Sequence, residues 1–236
     1  MTIANTDNYS SIIHQNKLLT NKYLMKYAIL VLIMGISMNT ISQNKDPFLN
    51  KDSLLKNDIH EIVELLEFMF DYDQMLRKYL QYKTLDISET KRIESLPDSL
   101  KSIGIKDRKF VSDTLRAFIG RKYISPLDSL HTKILIDLTR KYGYLSNERI
   151  KEYYENEFSN PNFNVLVLFN HSPEYYWKEI ELLIENELEY GRLNRCTYGW
   201  IKWHVNGRSD MNYFFDNGWE VVEENGRRRF IPVDCD

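Results

Sequence analysis

Scarcity does much of the excluding in this sequence. Only two of its 236 residues are cysteines, Cys196 and Cys235, so neither a CxxC redox pair nor a cysteine-built zinc framework is available. No glycine-rich phosphate loop, GxSxG elbow or spaced Ser/His/Asp or Cys/His set occurs. His60-Glu61-Ile62-Val63-Glu64 opens like an HExxH zinc site, but Glu64 stands where the second histidine belongs, and the stretch reads as a solvated helix face. His131, His171 and His204 are scattered without ligand spacing, so neither a metal nor a cofactor is expected. A dominant charge is also missing. Lys and Arg number 31 against 34 Asp and Glu, and the net charge of −3 gives no long-range attraction to nucleic acid or an anionic membrane. Nucleic acid drops out as a partner, leaving a protein or a small molecule.

Long apolar runs are absent with one exception. In "MKYAILVLIMGISMNTISQNKD", Lys26 precedes a core of roughly a dozen mostly apolar residues, too short for the ~20 that a bilayer span requires. Thr40-Ile41-Ser42 places small residues at the −3 and −1 positions of a cut before Gln43, which is the order of a secretory signal peptide. Residues 25–42 are therefore expected to be a signal cleaved near Ser42, leaving no stable membrane span and an exported protein, periplasmic or extracellular. Residues 1–24 read as a mis-annotated or disordered extension, with translation starting at Met25. In an oxidising compartment Cys196 and Cys235 are expected to pair; two free thiols are the alternative.

The rest is ordinary globular material, at 43% hydrophobic and 28% charged residues, and is long enough for one domain. Residues 43–57 read as a linker and 58–236 as a single domain. Ile59, Ile62, Val63, Leu66, Met69, Phe70, Leu76 and Leu80 recur at helical spacing over Asp58–Tyr82. Asp73 falls on that apolar stripe, with Arg77 one turn on. Pro97 and Gly104 break 84–107 into short pieces. Ser125-Pro126-Leu127-Asp128 opens a helix that Gly143 stops. Ser146 starts another helix, running through Phe158. Phe163–Phe169 fits strand or buried helix and is assigned to helix. Ser172-Pro173-Glu174 begins the next, ended by Gly191, and Asn194–Val205 is a short aromatic helix. "MNYFF", "WEVVEE" and "RRRFIPV" look like strands, and Asn225-Gly226 is a hairpin signal placing Glu224 opposite Arg227 and Glu223 opposite Arg228. The fold class is mainly α, with a small C-terminal antiparallel β-hairpin.

Several short motifs resemble a bacterial domain family of unknown function. Asp73-Gln74-Met75-Leu76-Arg77 matches its Asp-Gln-x-x-Arg. Asp128 matches the start of an Asp-x-x-Asn element in which His131 replaces Asn, and Lys141-Tyr142-Gly143 matches KYGWP up to Tyr144-Leu145. Asn170-His171 resembles the start of a Gln-His-Ala-Asp motif, while the family's later Asp-Arg pair is replaced around Lys202-Trp203-His204. The family occurs in secreted and other bacterial proteins, and the resemblance carries no activity with it.

Two functional readings remain. The first is a non-catalytic binding or interaction module, with Tyr198, Trp200 and Trp203 as candidate stacking faces for a ligand; the structural alternative is that these rings are core. The second is an uncharacterised hydrolase-like enzyme. Its candidates are His171 as general base, with Asp73 and Arg77 as positioning groups. Against it stand an ion pair locking the first helix and a helix-junction histidine bonded to backbone. His131, on an apolar stripe, reads as a buried, hydrogen-bonded side chain.

Overall fold

A computed structural model describes residues 47–106, 108–154, 163–224 and 227–236. The expected signal peptide and the extension before it lie outside these residues, as do Phe158 and Asn225-Gly226. Helix α1 (Pro47–Tyr82) opens the fold. It is followed by α2 (Ile87–Glu94), α3 (Asp98–Lys106) and α4 (Asp113–Ile119). A π-helical turn (Gly120–Ile124) leads into α5 (Ser125–Tyr142), then α6 (Asn147–Tyr153) and α7 (Val165–Phe169). A 3-10 turn (Glu174–Tyr176) opens onto α8 (Trp177–Glu189), α9 (Arg195–Val205) and the single-turn α10 (Asn212–Phe215). Strands β1 (Trp219–Glu224) and β2 (Arg227–Pro232) close the chain as a two-stranded antiparallel sheet. The fold is mainly α with a C-terminal hairpin. Among the described residues no helix is long and apolar enough to cross a membrane.

The 36 residues of α1 span about 54 Å and supply the main wall of the core. Leu55, Ile59, Ile62, Leu66 and Met69 are buried at three- and four-residue spacing, each contributing roughly 1.5–3 kcal/mol. Because Leu55 extends that stripe, the helix begins at Pro47. The part of the expected linker that is described, 47–57, is therefore folded helix rather than linker.

Leu135, Ile136 and Leu138 of α5 and Leu168 and Phe169 of α7 belong to the same core. Helix α5 begins at Ser125, but Ser125 is its first helical residue rather than the expected cap, and no side chain caps this end. The chain instead runs from α4 through the π turn, where the N–H of Ser125 reaches the carbonyl of Gly120. Pro126 cannot donate an N–H to the previous turn, so a local change of helical register at this point keeps the backbone continuous.

Capping is legible elsewhere. Ser146 caps α6 through the N–H of Arg149, and Asn194 caps α9 through that of Thr197. Helix α6 is described as far as Tyr153, five residues short of the expected end. The "MNYFF" stretch is α10, not a strand. Asp210 accepts from the N–H of Asn212 at 2.9 Å, and Phe214 goes under the hairpin from a helical turn.

The hairpin register is the expected one, with Glu224 opposite Arg227 and Glu223 opposite Arg228. Among the described side chains of the hairpin, a diagonal ion pair joins Arg229 Nη1 to Glu224 Oε2 at 3.1 Å. Cys196 and Cys235 form a disulfide that ties the chain end to the first turn of α9.

Candidate functional site

Asp73 is the buried polar residue around which the site is organised. It sits on the stripe that carries Leu66 and Met69 into the core, which leaves its side chain 1% exposed. A carboxylate so placed requires charged or hydrogen-bonding partners. Arg77, one turn later, donates Nε to Asp73 Oδ1 at 2.9 Å. Its Nη2 donates to Asp128 Oδ1 on α5 at 2.5 Å, so one guanidinium bridges the carboxylates of two helices. Gln74 donates Nε2 to Asp73 Oδ2 at 2.8 Å.

His171 completes the cluster from the turn after α7. Its Nδ1 is buried 3.1 Å from Asp73 Oδ2. The contact is close, but the nitrogen is out of line for a hydrogen bond. Catalytic pairs are often misaligned in the absence of substrate and straighten when it binds. The side chain is 22% exposed, and with Nδ1 buried against Asp73 the Nε2 edge faces outward. Asp73, Arg77 and His171, separated by nearly a hundred residues of chain, therefore meet in space.

The two carboxyl groups are driven apart. Burial raises the pKa of Asp73, but the adjoining His171 and Arg77 more than offset this and hold it below the usual carboxylate range. Burial raises that of Asp128 too, and there Arg77 and His171 do not cancel the effect, so it lies above its usual value. Opposite displacement of neighbouring acids is a common arrangement in acid–base sites.

Asp73, Asp128 and His171 each offer one ligand atom, all within 4.8 Å of one another, and are the residues here that would hold a divalent cation. The Oδ1 atom of each carboxylate is already committed to Arg77, whose positive charge occupies the position between them.

His131, one turn after Asp128, is buried and neither ring nitrogen is hydrogen-bonded, contrary to the expected satisfied side chain. Burial pushes its pKa down to about 4, with Asp73, Arg77 and His171 as the charged groups that act on it.

A second buried constellation joins Ser172 to His204 on α9. Ser172 Oγ lies 3.0 Å from His204 Nε2. Arg208 directs Nε and Nη2 at His204 Nδ1, at 3.0 and 2.8 Å. Arginine can only donate, so Nδ1 is the acceptor and Nε2 carries the proton given to Ser172. Burial and the Arg208 charge push the His204 pKa down to about 4, keeping the ring neutral. A histidine that donates to the serine cannot take its proton, which removes Ser172 as an activated nucleophile. Nor is Ser172 a helix cap, as its hydroxyl serves His204 instead.

The aromatic candidates lie elsewhere. Trp200 and Trp203 meet edge-on, with ring planes at 75°, and both pack against Phe214. Trp200 also packs against Trp219, and the indole N–H groups of Trp200 and Trp203 are buried without partners. Tyr198 carries Lys202 over its ring at 5.8 Å. The two tryptophans join α9 to the hairpin and do not form a flat stacking platform. His60 lies on the outer face of α1 against Tyr154, well away from any ligand set.

Sequence reasoning had no means of finding two features. One is the Asp128 bridge to Arg77, a contact across 51 residues. The other is buried Glu187, which accepts from Arg192 Nε at 2.5 Å and Nη2 at 2.9 Å, Lys51 at 2.9 Å and the Tyr144 N–H at 2.9 Å. That network lines a 520 Å³ cavity with Arg140 and Glu179, and its cations are paired with carboxylates. A separate groove of 840 Å³, walled by Phe68, Tyr72, Met75, Leu85 and Ile87, includes Gln74, the residue it shares with the Asp73 cluster. No protein-family model, curated protein or solved structure matches this chain.

Proposed function

We propose that the protein is a hydrolase-like enzyme whose reacting group is His171, oriented by Asp73. The observation that carries this reading is the meeting of Asp73, Arg77 and His171, with Nδ1 turned to the carboxylate and Nε2 outward. In the reaction, Nε2 takes a proton from water while the water oxygen bonds to the electrophilic carbonyl or phosphoryl centre. As the bond to the leaving group breaks, the same proton passes to that group. Ionised Asp73 stabilises the imidazolium formed between these steps. Arg77 holds Asp73 and Asp128 in place, and Asp128, with its raised pKa, is the second proton-carrying group within reach.

Of the residues through which the chain resembles the uncharacterised bacterial family, Asp73, Gln74, Arg77, Asp128, Asn170 and His171 gather at or beside this site, while Lys141 and Tyr142 bind Asp58 elsewhere. The Cys196–Cys235 bridge is compatible with the proposed export. The arrangement of the tryptophans weakens the non-catalytic binding reading based on ring stacking.

The test is turnover of a chromogenic panel of carboxylic and phosphoric esters by the chain beginning at Gln43. His171→Ala is expected to lower the active rate by 10²-fold or more. EDTA is expected to leave the rate unchanged, because the Arg77 guanidinium occupies the position between the two carboxylates. A wild-type rate from His171→Ala overturns the assignment of the base. Loss of activity with EDTA, restored by Zn²⁺ or Mn²⁺, would instead make Asp73, Asp128 and His171 metal ligands.

A further inference from the structure

We infer that Arg208 and His204 are positioning residues for His171, forming a clamp on the turn that carries it. The inference rests on the reading of His171 as the reacting group, and its test is independent of turnover. His171 lies between two residues that are each gripped from outside the turn. On one side Arg208 Nη2 donates to the carbonyl oxygen of Asn170 at 2.7 Å. On the other, His204 Nε2 donates to Ser172 Oγ at 3.0 Å. Trp177 Nε1 adds a bond to the Ser172 carbonyl, also at 3.0 Å. The two grips are one unit, because the same guanidinium that holds Asn170 also fixes the His204 tautomer.

The location of Arg208 makes a purely stabilising role an incomplete account. Its backbone sits at φ +60°, a left-handed conformation that is strained for a residue other than glycine. The residue is exposed, yet its side chain turns back to reach the buried ring and the Asn170 carbonyl. Ser172 and His204 are each at most 5% exposed, so the far end of the clamp lies in the core and cannot drift. The His171 imidazole is thereby held with Nδ1 toward Asp73, although the Asp73–His171 contact is out of line and does not itself fix the ring. Support of a reacting residue by groups that never touch substrate is the usual way its geometry is maintained.

The experiment is long-range ¹H–¹⁵N NMR of the histidine rings in the wild-type chain, Arg208→Ala and Ser172→Ala at pH 7.5. In wild type, His204 is expected to show the Nε2-protonated tautomer. His171 is expected to show one dominant tautomer, with the proton on Nδ1. In Arg208→Ala the two His171 ring nitrogens should converge toward averaged shifts, with the far-ultraviolet spectrum unchanged. Ser172→Ala, which removes only one hydroxyl, should produce the same convergence to a smaller degree. It also serves as the deciding variant if Arg208→Ala fails to fold. Unchanged His171 ring shifts in a folded variant overturn the clamp, as does an Nδ1-protonated His204 in wild type. Convergence of the ring shifts without any ester turnover would leave the clamp standing and remove the enzymatic reading alone.

Discussion

At the scale of single residues, the protein keeps two neutral histidines and one ionised carboxylate where water does not reach. His131 and His204 both have folded-state pKa values pushed down to about 4, below the ordinary value near 6.5 that they regain on unfolding. Between these values the unfolded chain binds two protons that the folded chain refuses. Stability therefore falls as pH drops from 6.5 toward 4, by about 2 kcal/mol per histidine at pH 5, and these two groups add nothing further below 4. Asp73 acts lower on the scale. Its folded pKa is depressed, so its contribution is complete above the unfolded value and disappears as pH falls through the folded one. Urea unfolding at pH 7.5 and pH 5.0 should thus show a clear drop in midpoint, and His204→Gln should reduce that drop by about half. A midpoint independent of pH over this range contradicts the burial of both rings.

At the scale of elements, the hairpin shows what a close approach requires of sequence. Gly218 has φ +82°, and a Cβ built on it would lie 1.6 Å from the carbonyl oxygen of Asp234. Its own carbonyl receives the N–H groups of Val233 and Asp234, which seats the disulfide-bearing tail beside α9. Gly218→Ala is expected to destabilise by about 2 kcal/mol or more in denaturant unfolding, through strain and displacement of that tail. A cost under 0.5 kcal/mol would mean that the tail is not held there.

Elements with local signals were legible from sequence alone. The α1 stripe, the start of α6 after Ser146 and the register around Glu224 and Arg227 all follow from residues close together in the chain. The Asp73–Arg77 pair was readable for the same reason, being one helical turn. Elements decided by distant contacts were not. "MNYFF" has strand-forming residues, yet the packing of Phe214 against Trp200, Trp203 and Phe230 and the Asp210 bond to Asn212 make it a helical turn. The Ser125 cap failed because the π turn before it lets the preceding helix continue. The meeting of Asp73 with His171, and of both with Asp128, depends on how α1, α5 and α7 pack, which no local spacing encodes.

At the scale of the whole molecule, Asp46–Asp236 forms one compact unit with the candidate site where α1, α5 and the turn after α7 come together. The hairpin and tail are attached to it through α9. The Cys196–Cys235 bridge closes a sequence separation of 39 residues and is expected to stabilise by about 4 kcal/mol on the chain-entropy account. Reduction with a strong thiol should lower the melting temperature by roughly 10 °C. It should leave the His171 ring signals unchanged, since Asp73 and the clamp do not depend on the bridge. A melting temperature unaffected by reduction would contradict the structural role of the bridge.

The most direct test of the central claim, that Asp73 and His171 act as a unit, is a double-mutant cycle on ester turnover with Asp73→Asn, His171→Gln and the pair together. Residues that work through one another give a double variant no slower than the worse single one. Each single variant is expected to lose about 10²–10⁴-fold, with no additional loss for the pair. Losses that multiply in the double variant, or single variants that turn over at the wild-type rate, would contradict the claim.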